Sequence, residues 1–387
     1  MIIENKGYSY NDLTIIPEVI SDVESRSQCN PFIENNKLPI FASPMASVVG
    51  VANYKVFEDN AITPIIPRNI DIKTRILKMN EQKWVALSLR EFEDLFITNY
   101  KDRIEEIGHH YYICVDIANG HMKSLYYKCL LAKDNAVKGG YKLTIITGNI
   151  ANPETYKWII QFNDRYGKII DYIRVGIGGG CGCITTSNTS AHYPQASLIN
   201  ECYKIKTHWK NYTSKDIVPY IVADGGIRNY DHVIKALALG ADYVMIGSLF
   251  AQCIESAGIK YGIPNKSSMV FNYDAYVSDS LYIDNNGNWI GRIKQLRGEH
   301  YIGELNVKFF GMASADGQKS ISGKKTKTSE GITKYLPVKY TLKGWTENMI
   351  SYLRSAMSYT DCKTLDKFIG KPKLIPNSIS EIQAVNK

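Results

Sequence analysis

The sequence predicts an α/β protein with a (β/α)8 barrel of the TIM type, and two observations carry that prediction. Eight short apolar runs recur as far as Gly247, and most are continuous and β-branched, as strands buried on both faces should be. Segments with helical signals lie between most of these runs, which is the alternation of a parallel sheet. Eight such units favour closure into a barrel. A doubly wound open sheet is the alternative, because a sequence does not show closure.

The apolar runs and the segments between them define the predicted elements. The clearest helix covers residues 229–240, whose start Asn229 or Asp231 can cap and whose end Gly240 can terminate. The eight predicted strands are residues 38–43, 62–66, 84–88, 111–116, 143–148, 172–176, 220–224 and 243–247.

Beyond Gly247 the pattern changes. Residues 262–306 are rich in Tyr, Asn and Ser and contain an Asn-Asn-Gly turn, which predicts a β-hairpin excursion on the barrel rim. Residues 311–332 have little apolar content and predict a mobile flap, and a helix is expected over residues 345–357. No repeat and no linker separates domains, so residues 1–387 are interpreted as one catalytic domain.

Composition and charge limit the function classes. The chain has 387 residues and a net charge of +8, and the basic excess is spread along it, so it fits an anionic small molecule as easily as a nucleic acid. The short basic stretch at residues 324–327 reads as a solvated loop. No apolar run approaches the ~20 residues of a membrane span, and the first residues lack the apolar core of a secretory signal. The eight cysteines show no disulfide frame and no zinc spacing. We therefore expect a cytoplasmic protein with free thiols and neither a membrane nor a nucleic-acid partner.

The active site of such a barrel gathers at the carboxyl ends of its strands. Two glycine-rich turns, Asp224-Gly225-Gly226 and Gly247-Ser248, follow the seventh and eighth predicted strands. Turns of this kind expose backbone N–H groups and favour bound phosphate. The acidic side chain of Asp224 is better suited to accept hydrogen bonds from ribose hydroxyls. A tight turn without any ligand would explain the Asp-Gly-Gly motif equally well.

The loop after the sixth predicted strand is the most specific signal. Glycine dominates residues 176–182, and this is costly in a purely structural loop because glycine loses more backbone entropy than other residues on ordering. Such a loop suits backbone that wraps a ligand or an ion. Cys183 within it is a candidate nucleophile, whereas Cys114 and Cys253 fit a buried, inert role. For Cys181 both interpretations stay open.

This loop resembles that of the IMP dehydrogenase / GMP reductase family. The family's loop has the form G-I-G-x-G-S-x-C-T-T, and residues 176–186 read G-I-G-G-G-C-G-C-I-T-T. Further landmarks occur in the family's order over nearly the whole chain, namely Tyr10-Asn11-Asp12, Ser43-Pro44-Met45, residues 116–120, Gly148-Asn149, Tyr193-Pro194-Gln195, residues 223–226, Gly247-Ser248, Phe310-Gly311-Met312, Ser329-Glu330-Gly331 and residues 354–359.

The resemblance implies a homotetrameric barrel enzyme that acts at C2 of a purine 5′-monophosphate. Cys183 would attack C2 and form a covalent intermediate, because a thiolate adds to an electron-poor ring carbon and later leaves. Glu330 would act as the acid/base carboxylate, assisted by a threonine. Ile184 stands between Cys183 and the threonine pair, so either Thr185 or Thr186 is the assisting residue.

The resemblance also implies binding roles for three sets of residues. Positions near the substrate are Ser43, Met45, Cys181, Asp224, Gly225, Gly226, Gly247, Ser248, Gly311 and Met312. Positions near a nicotinamide cofactor, NADPH or NAD, are Asp116, Ala118, Asn119, Gly148, Asn149, Gly176 and Gly178. The carbonyls that resemble a potassium site are those of Gly176, Gly178 and Cys183.

Two activities of the family share this intermediate. A dehydrogenase oxidises IMP with NAD and hydrolyses the adduct, whereas a reductase expels ammonia from GMP and accepts hydride from NADPH. The reductase is favoured because residues 62–116 leave no room for the regulatory domain that most dehydrogenases insert there. The short flap over residues 311–330 also lacks the Arg-Tyr pair of the dehydrogenase, its basic residues being lysines. The dehydrogenase remains the alternative.

Several positions depart from the family pattern. They include Cys181 for a phosphate-binding Ser, Ala46 for an Asp, Phe309-Phe310 where a phosphate-binding Tyr is usual and Arg68 for a Lys. An unusual or deoxy purine nucleotide is therefore a possible substrate. A barrel that binds nucleotides without catalysis is the competing class, and the joint presence of the cysteine, threonines and acid/base carboxylate argues against it.

Overall fold

The computed structural model describes residues 7–103, 109–180, 188–213, 215–262, 269–271, 292–294, 300–302, 305–323 and 331–377. Within them, the strands are β1 (Leu13–Ile15), β2 (Ile40–Ala42), β3 (Thr63–Pro64), β4 (Trp84–Leu87), β5 (His110–Val115), β6 (Lys142–Ile150), β7 (Tyr172–Val175), β8 (Tyr220–Asp224), β9 (Tyr243–Ile246), β10 (Lys260–Gly262), β11 (Met269–Phe271), β12 (Arg292–Lys294), β13 (His300–Ile302), β14 (Leu305–Phe310), β15 (Thr333–Pro337) and β16 (Leu374–Pro376).

The α-helices of the same residues lie mainly between the barrel strands. They are α1 (Tyr54–Asp59), α2 (Ile72–Asn80), α3 (Leu89–Glu93), α4 (Tyr100–Arg103), α5 (Lys123–Gly139), α6 (Pro153–Tyr166), α7 (Gln195–Lys210), α8 (Tyr230–Ala238), α9 (Ser248–Ala251), α10 (Ala315–Ser322), α11 (Leu342–Tyr359) and α12 (Leu365–Phe368). None of these helices combines the length and the apolar character that crossing a bilayer requires.

Strands β2 to β9 form one parallel sheet in the order β3-β2-β9-β8-β7-β6-β5-β4. The sheet closes because the Ile66 amide donates to the Trp84 carbonyl at 2.9 Å and the Ala86 amide donates to the Ile66 carbonyl at 2.8 Å. The predicted (β/α)8 barrel is therefore confirmed, and the open-sheet alternative is wrong. All eight predicted strands are present, and the predicted helix at residues 229–240 is α8, preceded by Asn229 as its N-cap.

The barrel is filled by side chains and has two apolar layers. Inside the ring, a cluster that includes Phe41, Trp84 and Met245 packs against tyrosines at the amino ends of the strands. Outside the ring, a larger cluster joins the strands to the helices. Continuous burial explains the uninterrupted apolar runs, since β2 and β4 are buried at every position.

Two aspartates stabilise the ring by pairing a strand amide and a helix lysine. The Asp242 carboxylate, which precedes β9, accepts from the Ile221 amide of β8 at 2.7 Å and pairs with Lys206 of α7. The Asp171 carboxylate, which precedes β7, accepts from the Ile145 amide of β6 at 2.8 Å and pairs with Lys133 of α5 at 2.9 Å. Each aspartate thus ties two neighbouring strands to one covering helix.

The region after β9 contains the predicted β excursion. Strands β11-β10-β14-β15 form an antiparallel sheet, and β12 pairs with β13. The Asn-Asn-Gly turn at residues 285–287 lies outside the described residues. The predicted flap differs from expectation, because its first half is helix α10, whose N-cap hydroxyl Ser314 accepts from the Gly317 amide at 3.1 Å. The helix expected at residues 345–357 lies within α11.

Replacement of Asp242 by alanine tests the strand-to-helix ties. The substitution leaves the Lys206 ammonium, whose side chain is only 4% exposed, without its carboxylate. We expect the free energy of unfolding to fall by about 3 kcal/mol or more, as for other broken buried pairs. The measurement is chemical denaturation at neutral pH. The control is Asp59→Ala in the exposed pair with Lys55, which should change stability little; equal losses in both variants would contradict the role of Asp242.

Candidate active site

An ion network lies at the carboxyl ends of β5 to β8. Arg174, near the end of β7, is 8% exposed and donates through Nη1 to Asp116 at 2.7 Å. The same guanidinium contacts Asp224, with Nε at 2.9 Å and Nη2 at 2.8 Å from Oδ2. Burial alone would lower the pKa of Arg174, but the Asp224 and Asp116 carboxylates and the nearby Cys114 raise this pKa well above its ordinary value. The guanidinium is therefore a fixed cation between two fixed anions.

Two further side chains complete the network. The Asn149 amide donates from Nδ2 to Asp224 Oδ2 and to the Gly176 carbonyl, both at 2.7 Å. Arg68 donates to the Asp116 carbonyl at 3.0 Å and lies 3.5 Å from its carboxylate. Asp116, Asn149, Gly176 and Asp224 were all predicted as site residues, and the fold brings them together. Their predicted roles toward cofactor and substrate stay predictions.

The backbone approaches so closely here that glycine is required at Gly176. This residue has φ +133°, and a Cβ on it would lie 2.2 Å from the Asp224 carbonyl oxygen and 2.5 Å from Gln195 Oε1. Gln195 is 4% exposed and donates from Nε2 to the Val175 carbonyl at 2.7 Å. The first glycine of the predicted catalytic loop thus lets β7, β8 and α7 meet without a gap.

A cavity opens beside this network at the carboxyl face of the barrel. Eight of the ten predicted substrate positions line it, together with Gly179 and Gly180 of the loop that leads to Cys183. The lining residues are Ser43, Met45, Gly179, Gly180, Asp224, Gly225, Gly226, Ile227, Arg228, Met245, Gly247, Ser248, Phe309 and Gly311.

The wall of the cavity joins two loops that are distant in sequence. The Gly226 amide donates to the Gly179 carbonyl at 2.9 Å. A Cβ on Gly179 would lie 3.2 Å from the Gly226 nitrogen, so the two glycines pack backbone against backbone. Gly226, predicted to contact phosphate, therefore has its own N–H committed to the loop contact. Across the cavity, Gly247 allows Met45 to come close, because a Cβ there would lie 2.8 Å from Met45 Sδ.

The flap region returns to the same face. Ser314, which follows Gly311 and Met312, forms a parallel bridge with Gly331. The base of α10 is fixed by Asp316, which accepts from the Thr333 hydroxyl at 2.5 Å and pairs with Lys308 of β14 at 3.1 Å. Gly331, which follows Glu330, is therefore held against the segment that starts at Gly311 in the wall of the cavity.

Not every predicted site residue falls in this arrangement. Ala118 and Asn119 are exposed, and the Asn119 side chain accepts from the His121 amide at 3.0 Å in a local turn. Met312 is half-buried beside the cavity but does not line it. The predicted residues that lie outside the described residues are Cys181, Cys183, Thr185, Thr186 and Glu330.

The predicted potassium site is only partly described. One of its three carbonyls, that of Gly176, accepts from Asn149, and Cys183 lies outside the described residues. The potassium site therefore stays a prediction.

Sequence reasoning missed Arg174 and Arg228 as site residues. A signal for Arg174 was available, since it interrupts the apolar strand Tyr-Ile-Arg-Val, where an unpaired cation is costly and requires a carboxylate partner. Asp116 and Asp224, already placed at strand ends, were the obvious partners. Arg228 carries no such signal, because an exposed arginine after a turn is ordinary.

Comparison with known proteins agrees with the geometry. A family model described as the IMP dehydrogenase / GMP reductase domain matches residues 7–272, which is more than half of the chain. The chain belongs to this family. The predicted family is thereby confirmed.

Some relatives of the chain are named GMP reductase and others are named inosine-5′-monophosphate dehydrogenase. A GMP reductase of Chromobacterium violaceum is 29% identical over 70% of this chain and 82% of its own length. A GMP reductase of Caenorhabditis elegans is 28% identical over 70% of this chain, and the match spans 61% of that protein. An inosine-5′-monophosphate dehydrogenase of Halalkalibacterium halodurans is 28% identical over 66% of this chain and 42% of its own length.

Substitution of Arg174 tests whether its ion network organises the strand ends of this family member. Arg174→Met leaves two neighbouring carboxylates without their shared cation, so we expect the free energy of unfolding to fall by about 3 kcal/mol or more. Arg174→Lys should lose less, since it keeps the charge but cannot span both partners as a planar fork does. Chemical denaturation measures both. Arg165→Met, on the exposed face of α6, is the matched control; a loss no larger than the control's would show that the network is dispensable.

Proposed function

We propose that this chain is a purine nucleotide oxidoreductase that acts at C2 of the base, with GMP reductase as its activity. One observation carries the proposal. Gly179 and Gly180, which lead directly to Cys183, form the wall of a cavity whose other sides are the predicted nucleotide positions after β2, β8 and β9. Family membership and the relatives named GMP reductase support the same conclusion.

In the proposed reaction, GMP lies in this cavity with its base toward the Cys183 loop. The Cys183 thiolate adds to C2, and the amino group leaves as ammonia once it has gained a proton. Glu330, with Thr185 or Thr186, is proposed to move that proton. The remaining adduct is then reduced at C2 by hydride. The carbon–sulfur bond breaks, which releases IMP and regenerates the Cys183 thiolate. The Arg174 network keeps Asp116, Asn149 and Asp224 in place throughout.

We propose NADPH as the hydride donor. The residues proposed to hold it are those of the ion network at the ends of β5 and β6. Charged and amide groups contact one another there. When bound, this cofactor would supply the hydride that reduces C2. From the resemblance to the family we further propose that residues 1–387 form one catalytic domain and that the chain assembles as a homotetramer. We also propose that it works in the cytoplasm and binds potassium.

A paired cofactor assay tests the activity. The protein is mixed with GMP and NADPH and, separately, with IMP and NAD, and the absorbance of the reduced nicotinamide is followed. We expect oxidation of NADPH. Reduction of NAD would instead identify a dehydrogenase, the second family activity. A higher kcat/KM for dGMP than for GMP would reveal a deoxynucleotide preference. Nucleotide binding without turnover in any mixture would favour a non-catalytic barrel.

Cys183→Ala should lower turnover by about 10⁴-fold or more while nucleotide affinity is kept.

Selective alkylation tests the nucleophile independently of turnover. The six cysteines in the described part of the chain are all buried, and burial raises the pKa of the Cys114 and Cys129 thiols to about 12. We therefore expect iodoacetamide to modify the native protein only in the peptide that contains Cys181 and Cys183, with GMP slowing the reaction. Peptide mass spectrometry reads the sites. Cys114 modified as fast as Cys183, or no protection by nucleotide, would contradict the covalent mechanism.

A further inference from the structure

The charged groups of the cavity are few. Among the described lining residues, only Asp224 and Arg228 carry charge; the others are glycines, two serines and the apolar side chains of Met45, Ile227, Met245 and Phe309. A charged ligand would therefore meet one of these two side chains.

Asp224 is already compensated within the protein. Its carboxylate accepts one hydrogen bond from Arg174 Nε and one from Asn149, forms an ion pair with Arg174 Nη2, and its side chain is 14% exposed. The Asp224 charge is thus balanced by a buried cation. A ligand therefore does not need a positive charge to balance Asp224.

Arg228 is in the opposite situation. Its side chain is exposed, and no carboxylate of the described residues lies within ion-pair distance of its guanidinium. Its backbone is nevertheless fixed, since the Arg228 amide donates to His232 Nδ1 at 3.2 Å and His232 Nε2 contacts Asn11 at 2.6 Å. Within the part of the chain that the structure describes, a cation with no ion-pair partner therefore stands on a fixed backbone segment beside the cavity.

Two of the donors expected for a phosphate are missing from the cavity. The Gly226 N–H, a predicted phosphate donor, is committed to the Gly179 carbonyl. Phe309, which lines the cavity and is 2% exposed, has no hydroxyl to donate. A phosphomonoester carries about two negative charges at neutral pH, and a desolvated charge without compensation is costly.

We propose that the Arg228 guanidinium binds the phosphate of a nucleoside 5′-monophosphate and makes the site select nucleotides over nucleosides. The planar guanidinium can donate two parallel hydrogen bonds to phosphate oxygens, which is stronger and more directional than a contact with a neutral donor. This inference rests on the proposed function, because it takes the ligand of the cavity to be a purine nucleotide. It adds a residue that determines specificity through charge.

Calorimetric titration with GMP and with guanosine tests the assignment. We expect Arg228→Gln to weaken GMP binding by roughly 10- to 100-fold, as the loss of a charge-assisted hydrogen bond does, and to leave guanosine binding unchanged. Arg228→Lys should recover part of the GMP affinity. The matched control is Arg90→Gln, an exposed arginine on α3 that does not line the cavity, and it should change neither affinity.

The outcomes separate this inference from the proposed function. Equal GMP affinity in Arg228→Gln and in the unmodified protein, with normal turnover, would overturn the role of Arg228 and leave the enzyme activity standing. An equal loss for GMP and guanosine would also overturn it, because the effect would then not act on the phosphate. An unmodified protein that binds neither GMP nor IMP would overturn both proposals.

Discussion

The buried guanidinium of Arg174 is the contact on which the arrangement of the site depends. It lies between Asp116 after β5 and Asp224 at the end of β8, and Asn149 of β6 joins it through the same Asp224 oxygen. A cation or a carboxylate taken from water into this interior alone would be strongly unfavourable, so each group needs the others. Because the partners stand on four consecutive strands, their pairing fixes the relative positions of β5 to β8 at the face where the cavity opens.

Two kinds of residue define the cavity, the charged residues of the ion network and the glycines of the turns. The ion network lies beside the cavity, with Asp224 as its member in the lining, and it is balanced within itself, so it contributes oriented polar groups and little net charge. The glycine-rich turns form the walls, where missing side chains let two loops touch through the Gly226–Gly179 hydrogen bond. The close backbone contact and the neighbouring ion network hold these described parts of the wall in position, and such preorganisation lowers the cost of binding.

The prediction of the fold succeeded where local pattern and burial agree. Most residues of the eight barrel strands are buried, so their apolar runs were visible in the sequence. Helix α8 begins after Asn229 and ends just before Gly240 as expected, although the Asn229 side chain makes no capping hydrogen bond. The flap was less predictable. Helix α10 has almost no apolar residues, and it is held by the Ser314 cap and by contacts of Asp316 with Thr333 and Lys308, which lie on other strands. Such a helix leaves little periodic signal.

The sequence by itself determined the strand count, the family and the set of glycine and acidic residues at the strand ends, because these depend on local pattern and on motifs in order. Only the tertiary structure decided that the sheet closes, that Arg174 joins Asp116 to Asp224 and that the Gly226 amide donates to Gly179. It also decided that Arg228 lines the cavity with no ion-pair partner among the described residues. Each of these joins residues far apart in the chain. Long-range pairing is set by three-dimensional packing and by the need to compensate buried charge, and neither leaves a periodic mark in the sequence.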